Sequence, residues 1–151
     1  MRWVLLFLLA ILLFTSCSAP INTKPTNSSI NTASPAYIKD VTAYREGKDG
    51  VVVYFVLVDW NGNEIGSDGI VAISFYENIA EKDTLLWSTT KEVTQVNFSR
   101  VTIGQSEQFI CSLGRLFPQF DGYVDTLKVK LVFIMPSGKS MEGNTTLFWG
   151  S

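Results

Sequence analysis

Residues Gly50 to Trp60 read G-V-V-V-Y-F-V-L-V-D-W. Valine and aromatic side chains fill both alternate faces of this run. That pattern predicts a central β-strand covered on both sides. Asn61-Gly62 follows at once, the dipeptide best suited to a tight hairpin. Working outward, Gly69 to Glu77 is the next strand, and Tyr37 to Tyr44 is a modest one upstream. Thr84 to Ser88 and Val93 to Ile103 add two more, with Phe98 and Val101 in the second. From Thr126 to Met135, Leu127, Val129, Leu131 and Phe133 alternate with Lys128 and Lys130, the period of a half-buried strand. Pro136-Ser137-Gly138 makes a turn, and Asn144 to Trp149 is the last strand.

One segment breaks this rhythm. Phe109, Ile110, Leu113, Leu116 and Phe117 fall on a single helical stripe, with Ser106 as a cap and Pro118 as a stop. The spacing predicts a short helix near 107–117, with Gly114 as an internal weakness. About seven short strands separated by turn residues otherwise predict an all-β fold, a β-sandwich.

The stretch V-L-V-D-W-N-G-N-E-I-G-S-D-G-I-V-A-I-S-F, Val56 to Phe75, resembles bacterial immunoglobulin-like and fibronectin-III-like domains. Those domains often carry a strand, D-x-N-G-N, and then a V-x-I-x-F strand. The resemblance implies a single immunoglobulin-like β-sandwich. Asp121-Gly122-Tyr123, ahead of the Thr126 strand, is similar to a tyrosine corner, although Asp125 stands where such domains place a cysteine.

The amino-terminal end is an address. Arg2 precedes an unbroken apolar run from Trp3 to Phe14. As a helix it would span roughly 18 Å, short of a hydrocarbon core of about 30 Å. A charged start, a short apolar core and a small-residue exit predict a secretory signal peptide. The exit, L-F-T-S-C from Leu13 to Cys17, resembles the lipobox of bacterial lipoproteins, with Phe14 where the family usually has leucine. The resemblance implies cleavage before Cys17 and lipidation of its sulfur, and multiple acyl chains anchor stably. Ser18 after the cysteine is similar to the pattern for outer-membrane sorting in a two-membrane bacterium. Residues 1–16 are then the signal peptide. Residues 17–36, rich in Ser, Thr, Asn and Pro, are the lipidated cysteine and a disordered stalk, and 37–151 are the sandwich domain.

Composition excludes several functions. The 151 residues carry 12 Lys and Arg against 14 Asp and Glu, a net charge of −2, which offers no basic patch for nucleic acid. Histidine is absent, which removes Ser-His-Asp and Cys-His nucleophile systems and histidine metal sites. The two cysteines build neither a four-cysteine zinc site nor a disulfide scaffold. With Cys17 lipidated, Cys111 in its apolar setting is a small hydrophobe. No phosphate loop or dinucleotide fingerprint occurs, so no cofactor is implied. The carboxylate pairs Glu77/Glu81 and Asp121/Asp125 read as loop charges, and no catalytic residue is assigned.

Three aromatics are candidate ligand contacts: Trp60 at a hairpin edge, Tyr76 near a turn and Trp87 in L-L-W-S-T-T. Asp59, Asn61, Asn63 and Asp68 offer oxygen ligands as an alternative calcium site, although the EF-hand positions hold Glu64 and Ile70 instead of Gly and Glu. The expectation is a lipid-anchored envelope lipoprotein, not an enzyme. Its domain is a binding or structural module contacting an unidentified envelope protein. The alternative is a carbohydrate-binding module using exposed aromatics, with a glycan as partner.

Overall fold

A computed structural model describes residues 33–79, 82–120 and 124–150. Nine strands follow in chain order: β1 (Tyr37–Glu46), β2 (Gly50–Val58), β3 (Glu64–Ile65), β4 (Gly69–Ile79), β5 (Lys82–Val93), β6 (Phe98–Ile103), β7 (Ser106–Leu116), β8 (Thr126–Ile134) and β9 (Ser140–Phe148). Two antiparallel sheets form, β1-β2-β7-β6 with β3 added to β2, and β5-β4-β8-β9. Lettered in order without β3, these are ABED and C′CFG, the strand order of the immunoglobulin sandwich. The expected all-β, immunoglobulin-like sandwich is therefore the fold, with nine strands among the described residues rather than about seven.

Alternation explains the core. Val51, Val53, Phe55 and Leu57 of β2, Val71, Ile73 and Phe75 of β4, and Leu127, Val129, Leu131 and Phe133 of β8 are all fully buried. They face each other between the sheets, with the Phe55 and Phe133 rings 6.0 Å apart. The central position predicted for β2 follows from its pairing with β1 on one side and β7 on the other. Its other face also carries apolar side chains. Val56, Val58 and Ile110 form a second small cluster there, with Tyr54 packed against it.

The predicted helix near 107–117 is instead β7. Phe109, Cys111 and Leu113 point inward, while Ile110 joins the cluster on the opposite face. Val52 pairs with Arg115 but Tyr54 pairs with Ser112, so one residue of β2 opposes two of β7. This is a β-bulge, and Gly114 sits in it at φ +68°. The bulge shifts the phase by one, bringing Leu116 inward. Apolar residues on both faces plus that phase shift reproduce a helical stripe in a strand.

Two boundaries also move. The Thr84–Ser88 strand lengthens to Lys82–Val93, and the single strand predicted from Val93 to Ile103 divides. A 3-10 turn at Gln95–Asn97 carries the chain from one sheet to the other. There the Thr94 N–H donates to Asn97 Oδ1 at 2.7 Å. On the edge strand β5, Lys91 reaches across and donates to the Leu113 carbonyl at 2.6 Å. It caps a carbonyl of β7 below the point where β6 stops pairing. A lysine placed so discourages edge-to-edge association.

Candidate binding surface at one end of the sandwich

The β2–β3 and β8–β9 connections lie at the same end and share one design. The Asp59 N–H donates to the Asn63 carbonyl at 3.0 Å, and the Gly62 N–H to the Asp59 carbonyl at 3.1 Å. Likewise the Met135 N–H donates to the Lys139 carbonyl at 2.9 Å, and the Gly138 N–H to the Met135 carbonyl at 2.8 Å. Gly62 and Gly138 have φ of +82° and +83°. Each is a three-residue turn with glycine in the left-handed position. Asn61-Gly62 thus closes a three-residue loop rather than a two-residue hairpin. It leads only into the short β3 before the chain crosses to the other sheet.

Asp59 braces the first turn. It is a buried acid, and its Oδ1 accepts the N–H groups of Asn61 and Asn63 at 2.8 and 2.9 Å. Its Oδ2 accepts the Asn63 side-chain amide at 3.0 Å. Those bonds favour the charged form, and the Asn63 amide chiefly holds the carboxyl below its ordinary range. Trp60 stands at the apex of this turn, 78% exposed. The Lys139 ammonium, from the neighbouring turn, lies 5.2 Å from its ring centroid. Such a contact contributes about 0.5–1 kcal/mol at an exposed site. Lys139 had no signal in the sequence, because the pairing joins turns from opposite sheets.

Around the turn, charges are matched. Glu64 Oε1 accepts from Lys39 Nζ at 3.0 Å, and Oε2 accepts the Phe109 N–H at 2.7 Å, where β7 runs beyond its pairing with β2. Burial alone raises the Glu64 pKa, but the Phe109 N–H and Lys39 outweigh it and lower the carboxyl. Asp68 Oδ1 accepts the Gln95 N–H at 2.9 Å, tying the link before β4 to the 3-10 turn. Beside these loops is a depression of about 430 Å³, walled by Ile70, Val93, Ile134, Met135 and Pro136 among others.

The three aromatic candidates do not converge. Trp60 is at the loop end. Trp87 turns inward from β5 and meets the Phe75 ring edge-on at 5.5 Å, packed against the core. Tyr76 lies opposite Lys128, on the outer face of the second sheet. Of the four oxygen-bearing calcium candidates, the Asp59 carboxylate is engaged by the Asn61 and Asn63 N–H groups and the Asn63 amide, and Asp68 Oδ1 accepts from Gln95 in another loop. Among the described residues no three Asp, Glu or Cys side chains gather to hold a metal ion. Cys17 and the tyrosine-corner residues Asp121 to Tyr123 lie outside the described residues, as does Glu81.

No protein-family model matches the chain, and no curated protein matches it. Among solved structures, wild-type OgpA from Akkermansia muciniphila is similar at a TM-score of 0.48 and 14% identity, over 78% of this chain and 28% of that one. A second crystal form of wild-type OgpA gives 0.47 and 12%, over 79% and 30%. Catalytically inactive OgpA in complex with an O-glycopeptide substrate gives 0.45 and 12%, over 78% and 30%. The chain spans less than a third of the OgpA chains.

Proposed function

We propose that the chain is an exported lipoprotein, anchored at Cys17. Its sandwich is a non-enzymatic binding module that contacts an envelope protein through the loop end. The observation that carries this reading is the display of Trp60. A large aromatic ring is held almost fully in water on a turn braced by a buried carboxylate. Tryptophan on a preorganised support has the character of an interface anchor. The apolar depression beside it supplies further contact area.

The test is retention of solubilised envelope material on the immobilised chain, with and without prior protease digestion, for the native chain and for Trp60→Ala. The expected result is a retained protein, lost on digestion and lost in Trp60→Ala. Retention that survives digestion but needs Trp60 makes the ligand a glycan or lipid. Retention indifferent to Trp60 refutes the loop end as the site. The anchor is tested separately by mass spectrometry of the amino terminus, where a diacylglyceryl-modified Cys17 is expected. Cys17→Ala should release the protein from the membrane fraction.

A further inference from the structure

The outer face of the second sheet carries another depression, at the end away from Trp60. It measures about 410 Å³ and is lined by Thr126, Lys128, Asn144, Thr145 and Thr146. Tyr76 pairs with Lys128, Lys128 with Thr146, and Thr126 with Phe148. Directly opposed residues share a face. Tyr76, Lys128 and Thr146 therefore form one row, and Thr126 and Phe148 the next. Phe148 is 75% exposed. With strands about 4.8 Å apart and two-residue steps of about 6.8 Å, the Tyr76 and Phe148 positions lie roughly 12 Å apart, each paired with a residue that lines the depression.

Around this depression charge is cancelled locally. Lys128 pairs with Asp83 and Lys130 with Glu142, each at 2.7 Å. The other hydrogen-bonding groups that line the depression are uncharged. The hydroxyls of Thr126 and Thr146 and the amide of Asn144 have no side-chain hydrogen bond among the described residues. A protein interface would place apolar side chains at the centre, and these are polar. A nucleic acid would need unpaired cations. A sugar offers hydroxyls along its edge and C–H groups on its ring faces, and it matches both the threonine–asparagine floor and the aromatic flanks.

We propose that this face binds a neutral oligosaccharide. Phe148 and Tyr76 stack on its rings, while Thr126, Thr146 and Asn144 bond its hydroxyls. The site is separate from the loop end, and neither reading depends on the other.

The test is a nuclear magnetic resonance titration of the full ¹⁵N-labelled chain, in a detergent without a sugar headgroup. The probes are N-acetylglucosamine tetramer, cellotetraose and maltotetraose, each to about 10 mM. At least one should shift amide signals within 126–130 and 144–148, with a Kd on the order of 1 mM or tighter. Phe148→Ala and Asn144→Ala should each weaken it about fivefold or more, and Thr102→Ala, on the far hairpin, should leave it unchanged. Both informative side chains are exposed; if Phe148→Ala loses the native spectrum, Asn144→Ala decides alone. No shift at these strands with any of the three sugars overturns the proposal. So does binding that Asn144→Ala and a folded Phe148→Ala leave intact.

Discussion

Asp59 and Asn63 are joined by three hydrogen bonds. The Asn63 N–H and side-chain amide donate to the Asp59 carboxylate at 2.9 and 3.0 Å, and the Asp59 N–H donates to the Asn63 carbonyl at 3.0 Å. The side chain that shapes the turn is thus ionised, and the Trp60 display depends on it.

This relationship makes the turn sensitive to acid. The Asp59 carboxyl is held below its ordinary value of 3.8 by the Asn63 amide first, and then by backbone N–H groups. A depressed pKa stabilises the fold fully above the unfolded value, and the gain is lost as pH falls through the folded value. Asp59→Asn keeps an acceptor but sets one amide nitrogen against another. Its melting temperature should be lower than the native chain's by a few degrees near pH 6. The gap should close as the pH falls below the ordinary carboxylate range and through the folded-state value. A gap unchanged at the lowest pH would show that the ionised carboxylate is not responsible.

Gly114→Ala distinguishes the two readings of 107–117 by sign. In a helix the change would stabilise by about 1 kcal/mol. In the bulge, Gly114 has φ +68° and nothing lies within 4 Å of an added Cβ. Only the left-handed backbone is penalised, so the variant should lose roughly 1 kcal/mol. Denaturant unfolding of the two proteins measures it.

Cys111 should be chemically silent in the folded protein. It is fully buried, and burial pushes its thiol up to about 12. At pH 8 the thiolate is then about one part in ten thousand. In a Cys17→Ser chain, a thiol-specific chromogenic reagent should find no reactive group until denaturant is added. Prompt labelling under native conditions would contradict this burial.

Trp60→Ala should abolish binding at the loop end at almost no structural cost. At 78% exposure the ring forfeits little burial, and the stability change should stay within about 0.5 kcal/mol. Thermal unfolding beside the retention assay separates the two effects. A drop comparable to a core substitution would mean the ring is structural.

Much of the fold was legible because its signals are local. The alternation of Leu127, Val129, Leu131 and Phe133 with Lys128 and Lys130 is a property of one strand and needs no partner to be read. The same holds for Pro136-Ser137-Gly138. At the candidate site, Trp60 and the Asp59–Asn63 turn beneath it were legible, while Lys139 was not. Trp87 has as strong a sequence signal, but its β5 position points it between the sheets against Phe75.

The sequence by itself determined that the domain is a β-sandwich, where most of its core strands run and where its turns fall. Residue period and turn chemistry act over a few neighbours. The tertiary structure alone decided that 106–116 is a strand, since only pairing with β2 reveals the bulge that disguises it. It alone placed Lys139 over Trp60 and brought Tyr76 and Phe148 onto the sheet face that carries a polar depression. Those relations join residues from separate strands and turns. No local pattern encodes them, because burial and contact depend on what the rest of the chain brings alongside.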